Sequence, residues 1–127
     1  MKIFTLSVDQ ELIKLVDNYC KENQQQSILY NKSRRPIDIV GFVYEQNPFV
    51  IIIDDDYVKP DAAVMISTIK KIKENIKIIF VTSDSSVQLG KEISPLGIAY
   101  YAIKPLDKIE FDELLNSISK KKIHTTY

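Results

Sequence analysis

The stretch Phe49-Val50-Ile51-Ile52-Ile53-Asp54-Asp55-Asp56 decides the reading of this chain. Its unbroken, mostly β-branched apolar run predicts a strand buried on both faces, as in a parallel sheet. The carboxylates that follow are expensive to desolvate unless paired or metal-bound. The C-terminal mouth of a parallel sheet is also where open α/β folds bind ligands. The triplet therefore reads as a candidate site. The alternative is a polar turn that simply ends the strand.

On either side, two periodicities alternate. Ile3–Leu6 is a short strand, after which Asp9 caps a helix from Gln10 to about Glu22 with Leu12, Leu15, Val16 and Tyr19 on its apolar face. Gln24-Gln25-Gln26 is a turn, Ser27–Tyr30 a second strand, and Asn31–Pro36 a loop whose proline suits a first helical turn. A helix over about Ile37–Gln46 is expected to pack through Ile37, Val40 and Tyr44. Beyond the acidic triplet, Asp61 is expected to cap a helix running to Glu74, with Val64, Ile66, Ile69 and Ile72 inward. Ile76–Val81 is a fourth buried strand, ending in Thr82-Ser83-Asp84. A weaker helix, Ser85–Ile93, stops at Ser94-Pro95-Leu96-Gly97, and Ala99–Ile103 is a fifth strand leading into Lys104-Pro105. Asp107 and Glu110 form a capping-box arrangement for a last helix with Ile109, Leu114, Leu115 and Ile118 inward, and Lys120-Lys121-Lys122 complements its dipole.

Strands followed regularly by helices imply right-handed crossovers, a parallel sheet and helices on both faces. The expected fold class is α/β, with five parallel strands in the order 2-1-3-4-5 and a single domain over residues 1–127.

Composition excludes several function classes. With Lys+Arg and Asp+Glu at 17 each, no global field draws the chain to nucleic acid or to a membrane surface. The basic loop of Lys32, Arg34 and Arg35 reads as solvated rather than as a nucleic-acid contact. One cysteine, Cys20, excludes an internal disulfide framework and fits a reducing compartment; in an amphipathic segment it reads as a small buried residue. With that cysteine and a single histidine, His124, no His/Cys zinc constellation is available. No apolar run approaches the roughly 20 residues needed to span a bilayer, and there is no signal-peptide core, so a cytoplasmic protein is expected.

In a doubly wound sheet of this order the crevice opens at the carboxyl ends of strands 1 and 3. Strand 3 delivers Asp54 to it, strand 4 Thr82 and strand 5 Lys104. A carboxylate nucleophile, a hydroxyl and an ammonium at one mouth suit phosphoryl transfer to an aspartate.

Across Pro48-Phe-Val-Ile-Ile-Ile-Asp54, Ile79-Phe-Val-Thr82-Ser83 and Gly97-Ile-Ala-Tyr-Tyr101-Ala-Ile-Lys104-Pro105, the sequence resembles the receiver domains of response regulators in two-component signalling. The resemblance covers nearly the whole chain and implies a flavodoxin-like receiver fold. It implies Asp54 as phosphoacceptor, Thr82 as the switch hydroxyl that reaches the phosphoryl group, Lys104 as its ion-pair partner, and Tyr101 as an aromatic that changes rotamer with Thr82. It also implies a magnesium ion held by Asp54 and by the peptide carbonyl of Asp56, and a Lys104-Pro105 bond that is often cis.

One departure concerns that metal. Receivers carry two adjacent acids at the end of strand 1; here Ser7 and Val8 stand there, and the nearest acid is Asp9, one residue on. A hydroxyl and an isopropyl group are poor magnesium ligands. Asp9, or the side chain of Asp55 or of Asp56, would compensate. The proline expected four residues beyond the acceptor is replaced by Val58, with Pro60 displaced.

Three functions follow. The first is a stand-alone receiver that takes phosphate on Asp54 from a histidine kinase or phosphotransfer protein and signals to a partner protein through the face of helix 4, strand 5 and helix 5. The second is a pseudo-receiver, a docking module that no longer uses phosphate. The third is an enzyme: Asp54-x-Asp56-x-Val58 is similar to the first motif of haloacid-dehalogenase-like phosphatases. Those need a further acidic motif downstream, where this chain has Lys104-Pro105, so a non-enzymatic protein is expected.

Overall fold

A computed structural model describes residues 1–124, with side chains through residue 119. The side chains of Lys120, Lys121, Lys122 and His124 lie outside the described ones. Five strands, β1 (Lys2–Leu6), β2 (Gln26–Tyr30), β3 (Val50–Asp54), β4 (Lys77–Thr82) and β5 (Tyr100–Ile103), form one sheet in the order β2-β1-β3-β4-β5. All four pairings are parallel. Helices α1 (Gln10–Asn23), α2 (Pro36–Gln46), α3 (Ala62–Ile72), α4 (Val87–Ile93) and α5 (Lys108–His124) connect and follow the strands, and Asp55–Val58 makes a single helical turn after β3. The expected order and strand direction are those observed.

The central strand explains the sheet. Every residue of Val50–Asp54 is buried, and side-chain alternation divides it between two cores. Ile51 and Ile53 join Phe4, Leu6, Ile78 and Phe80 beneath α2, α3 and α4. Val50 and Ile52 join Ile3, Ile79 and Val81 beneath α1 and α5, where Tyr19, Phe111 and Leu115 close the layer. Covering both faces leaves the central strand no solvated side, which is why the sequence of β3 does not alternate in polarity.

Helix phases depart from expectation in three places. In α2 the buried residues are Ile39 and Val43, whereas Ile37 and Tyr44 are exposed. This helix is apolar on most sides, so its periodicity does not single out a face, and sheet contact decides it. In α3 Met65 joins Ile66 and Ile69 inside, while Val64 and Ile72 face out. In α5 Phe111 is buried with Leu115 and Ile118, Leu114 is half-buried, and Ile109 is exposed. Two caps also differ. The Asp61 side chain makes no capping hydrogen bond to α3, and α4 starts later than expected, capped by Ser86 through the Leu89 N–H. Asp107 accepts from the Glu110 N–H as expected, and Cys20 is buried.

The phase of α2 is directly testable by urea unfolding. Ile39→Ala, at a fully buried position, is expected to cost about 2–5 kcal/mol. Ile37→Ala, at an exposed one, is expected to change stability by no more than about 0.5 kcal/mol. Equal losses would show that the helix sits in the other phase.

Candidate functional site

The ends of β1, β3, β4 and β5 converge at one rim. Asp54 is 1 % exposed, and both of its carboxylate oxygens are engaged. Oδ1 accepts from the Asp56 N–H at 3.0 Å. Oδ2 accepts from the Ser7 hydroxyl at 2.6 Å and from the Lys104 ammonium at 3.0 Å. Ser7, fully buried at the end of β1, in turn accepts from the Asp9 N–H at 2.9 Å. Its hydroxyl therefore ties the acceptor strand to the start of α1.

Lys104 is the electrostatic centre. Its Nζ lies 2.8 Å from Asp9 Oδ2, 3.0 Å from Asp54 Oδ2 and 3.0 Å from Asp56 Oδ2. Burial would lower its pKa, but the hydrogen bonds it donates to Asp9, Asp54 and Asp56 outweigh this and hold it raised, so the lysine stays cationic. Asp9 combines two roles. Its Oδ1 accepts from the Glu11 and Leu12 N–H groups as the cap of α1, and its Oδ2 meets Lys104, whose hydrogen bond is the main cause holding its pKa down. For Asp56 desolvation pushes upward, but hydrogen bonds from Ser83 and Lys104 prevail and its pKa is lowered. The Lys104–Pro105 and Lys59–Pro60 peptides are both cis.

Thr82 stands at the same rim but faces a different partner. Its hydroxyl donates to Asp55 Oδ2 at 3.1 Å and accepts from the Asp84 N–H at 3.0 Å. Asp55 is buried, and desolvation raises its pKa despite the Thr82 bond. Beside them Ser83 donates to Asp56 Oδ1 at 2.8 Å. Tyr101 on β5 is half-buried and packs its ring 5.1 Å from that of Phe80, with its hydroxyl buried and without a hydrogen-bond partner. Each member of the triplet thus receives a hydroxyl: Asp54 from Ser7, Asp55 from Thr82 and Asp56 from Ser83.

The sequence-level candidates Asp54, Asp56, Asp9 and Lys104 lie in direct contact, with Thr82 and Tyr101 on the adjoining face. Two participants were not anticipated in these roles. Ser7 stands out only as the residue in place of an acid, and Asp55 only as a member of the triplet and a compensating metal ligand. In the basic loop, the Arg34 guanidinium lies over the Tyr57 ring at 5.5 Å and Arg35 approaches Asp38 at 3.8 Å.

The residues do not fit a magnesium ion in this arrangement. Such an ion needs oxygen ligands free to point at it. The inward oxygens of Asp9, Asp54 and Asp56 are all on the Lys104 ammonium. Ser7 spends its proton on Asp54, and Val8 is half exposed. Among the described residues no group of three or more His, Cys, Asp and Glu is placed to hold a metal. Nor does β5 deliver the acid that a dehalogenase-like phosphatase would need; it delivers Lys104.

No family model matches the chain. Solved structures match it along almost its whole length. The BeF3-activated DrrB receiver domain has a TM-score of 0.77 at 15 % identity, covering 94 % of this chain and 97 % of that one. The receiver domain of the Francisella response regulator 1452 has a TM-score of 0.76 at 18 % identity, with 95 % and 98 % covered. A protein described as pilus-assembly-related from Burkholderia pseudomallei has a TM-score of 0.75 at 16 % identity, with 94 % and 90 % covered. At these identities the likeness is one of fold: the chain has the flavodoxin-like receiver fold of response regulators.

The ion-pair cluster makes a pH-dependent prediction. Lys104→Met leaves three carboxylates facing one another and is expected to cost about 3 kcal/mol at pH 7. Asp9 and Asp56 titrate below the ordinary 3.8 in the folded protein. Their contribution is present above that value and lost as pH falls through their folded values. The difference between wild type and variant in urea unfolding should therefore shrink on acidification below about pH 4. A gap that is constant with pH would remove the carboxylates from the explanation.

Proposed function

We propose that this chain is a receiver module that accepts a phosphoryl group on Asp54 from a histidine kinase or phosphotransfer protein and signals by binding a partner protein. The observation that carries the reading is the 3.0 Å contact between the Lys104 ammonium and Asp54 Oδ2, at a sheet mouth shared with Thr82. An Asp54 oxygen would attack the phosphorus of a phosphohistidine. The new O–P bond would form as the N–P bond to the imidazole breaks, and the imidazole would leave with the electron pair and take up a proton. Lys104 would neutralise charge developing on the phosphoryl oxygens. The chemistry is stoichiometric modification of the protein rather than turnover of a substrate.

Output would use the face of α4, β5 and α5. Val87, Tyr100, Ile103 and Ile109 expose apolar side chains there, and β5 is an edge strand of the sheet. Exposed apolar residues on these three elements suit a protein partner. Among the described residues no helix is long and apolar enough to cross a membrane.

A second reading, a docking module independent of phosphate, is favoured by one observation. Asp54 is almost fully buried with both oxygens already hydrogen-bonded, and Ser7 and Val8 occupy the positions of the expected acid pair.

Incubation with a small-molecule phosphodonor and magnesium separates the two. The first reading expects a mass gain of one phosphate on the wild type and none on Asp54→Asn. No gain at high donor and metal concentrations would leave the docking module. Acids restored by Ser7→Asp and Val8→Asp are expected to tighten magnesium binding measured by calorimetry; unchanged affinity would show that these positions do not face the metal.

A further inference from the structure

The Thr82 hydroxyl has one proton to give, and in this structure it gives it to Asp55. Its acceptor capacity is used as well, by the Asp84 N–H. Thr82 is fully buried and Asp55 is 5 % exposed, so water does not compete freely for either group. Strand alternation reinforces the arrangement. Thr82 has the parity of Ile78 and Phe80, which pack beneath α2, α3 and α4, whereas Asp54 has that of Val50 and Ile52 on the opposite face. A neighbouring clasp repeats the pattern, because Ser83 donates to Asp56. Two consecutive hydroxyls at the end of β4 are thus held by two consecutive carboxylates after β3.

We propose that Asp55 is a positioning residue whose carboxylate holds the Thr82 hydroxyl in a resting orientation and must release it before Thr82 can donate to a phosphoryl group on Asp54. This rests on the phosphoacceptor reading. Asp55 then acts against phosphorylation-linked switching: its bond to Thr82 is charge-assisted and stronger than a neutral one, and breaking it leaves a buried carboxylate short of a donor. The cost is met only when the phosphoryl oxygens offer Thr82 a better acceptor. The triplet divides accordingly, with Asp54 reacting and Asp55 setting how readily the switch follows.

The test combines two measurements on the wild type, Asp55→Asn and Asp55→Ala. The first is the Thr82 side-chain rotamer, read from three-bond couplings to its methyl group. The wild type should show one rotamer, Asp55→Ala averaging between rotamers, and Asp55→Asn an intermediate degree. The second is affinity for beryllium fluoride with magnesium, a phosphoryl mimic. It should tighten about fivefold in Asp55→Ala, less in Asp55→Asn, and not at all when Asp55→Ala is combined with Thr82→Ala. A purely structural Asp55 would weaken binding on substitution, so weaker binding in both variants overturns the proposal, as does an unchanged single Thr82 rotamer in both. If the wild type and every variant fail to bind the mimic, the phosphoacceptor reading falls, and the rotamer series by itself decides whether Asp55 holds Thr82.

Discussion

Enclosing three consecutive carboxylates at the end of a buried strand is the constraint that organises this molecule. A carboxylate taken from water without donors is costly, and two of these three, Asp54 and Asp55, are buried. Each receives a hydroxyl from a neighbouring strand end, and Asp54 and Asp56 also share the Lys104 ammonium with Asp9. One ammonium among three carboxylates does not balance the charge. Lys59, 3.9 Å from Asp56 Oδ1, brings a second cation, and hydroxyls together with the backbone N–H groups that reach Asp54 and Asp9 add further polar compensation.

Sheet order and strand alternation turn this requirement into a division of labour. The order β2-β1-β3-β4-β5 sets β3 between β1 and β4, so Ser7 approaches the triplet from one side and Thr82 and Ser83 from the other. Alternation then sorts the partners by face. Asp54 meets Ser7 and Lys104 on the side of α1 and α5. Asp55 meets Thr82 on the side where Phe80 and Tyr101 pack together. The two halves are joined by the backbone of the triplet and by the bond from the Lys104 N–H to the Thr82 carbonyl. An event at Asp54 is therefore one peptide away from the group that holds Thr82, and β5 carries both Lys104 at its end and the exposed side chains of Tyr100 and Ile103.

The fold was largely legible because the β strands are strongly marked. Ile51–Ile53 and Ile78–Val81 are continuous apolar runs, and the helices between them have capping signals such as Asp9, Pro36 and Asp107. Helix phase was less legible where a helix is apolar around most of its circumference. In α2, Ile37, Ile39, Val40, Phe42 and Val43 all compete for the inward face, and only contact with the sheet selects Ile39 and Val43. The Asp61 cap failed for a related reason: residue type permits a cap, but loop geometry grants it.

By itself, the sequence determined the alternation of strand and helix, the parallel sheet, and the presence of a carboxylate, a hydroxyl and an ammonium at strand ends. Those follow from local periodicity and from the order of segments along the chain. Only the tertiary structure decided which carboxylate each donor meets: Thr82 on Asp55 rather than Asp54, Ser7 on Asp54, and Asp9 on Lys104 while still capping α1. Partnership between side chains far apart in sequence depends on register and on the face each strand end presents, and neither is written in any one segment.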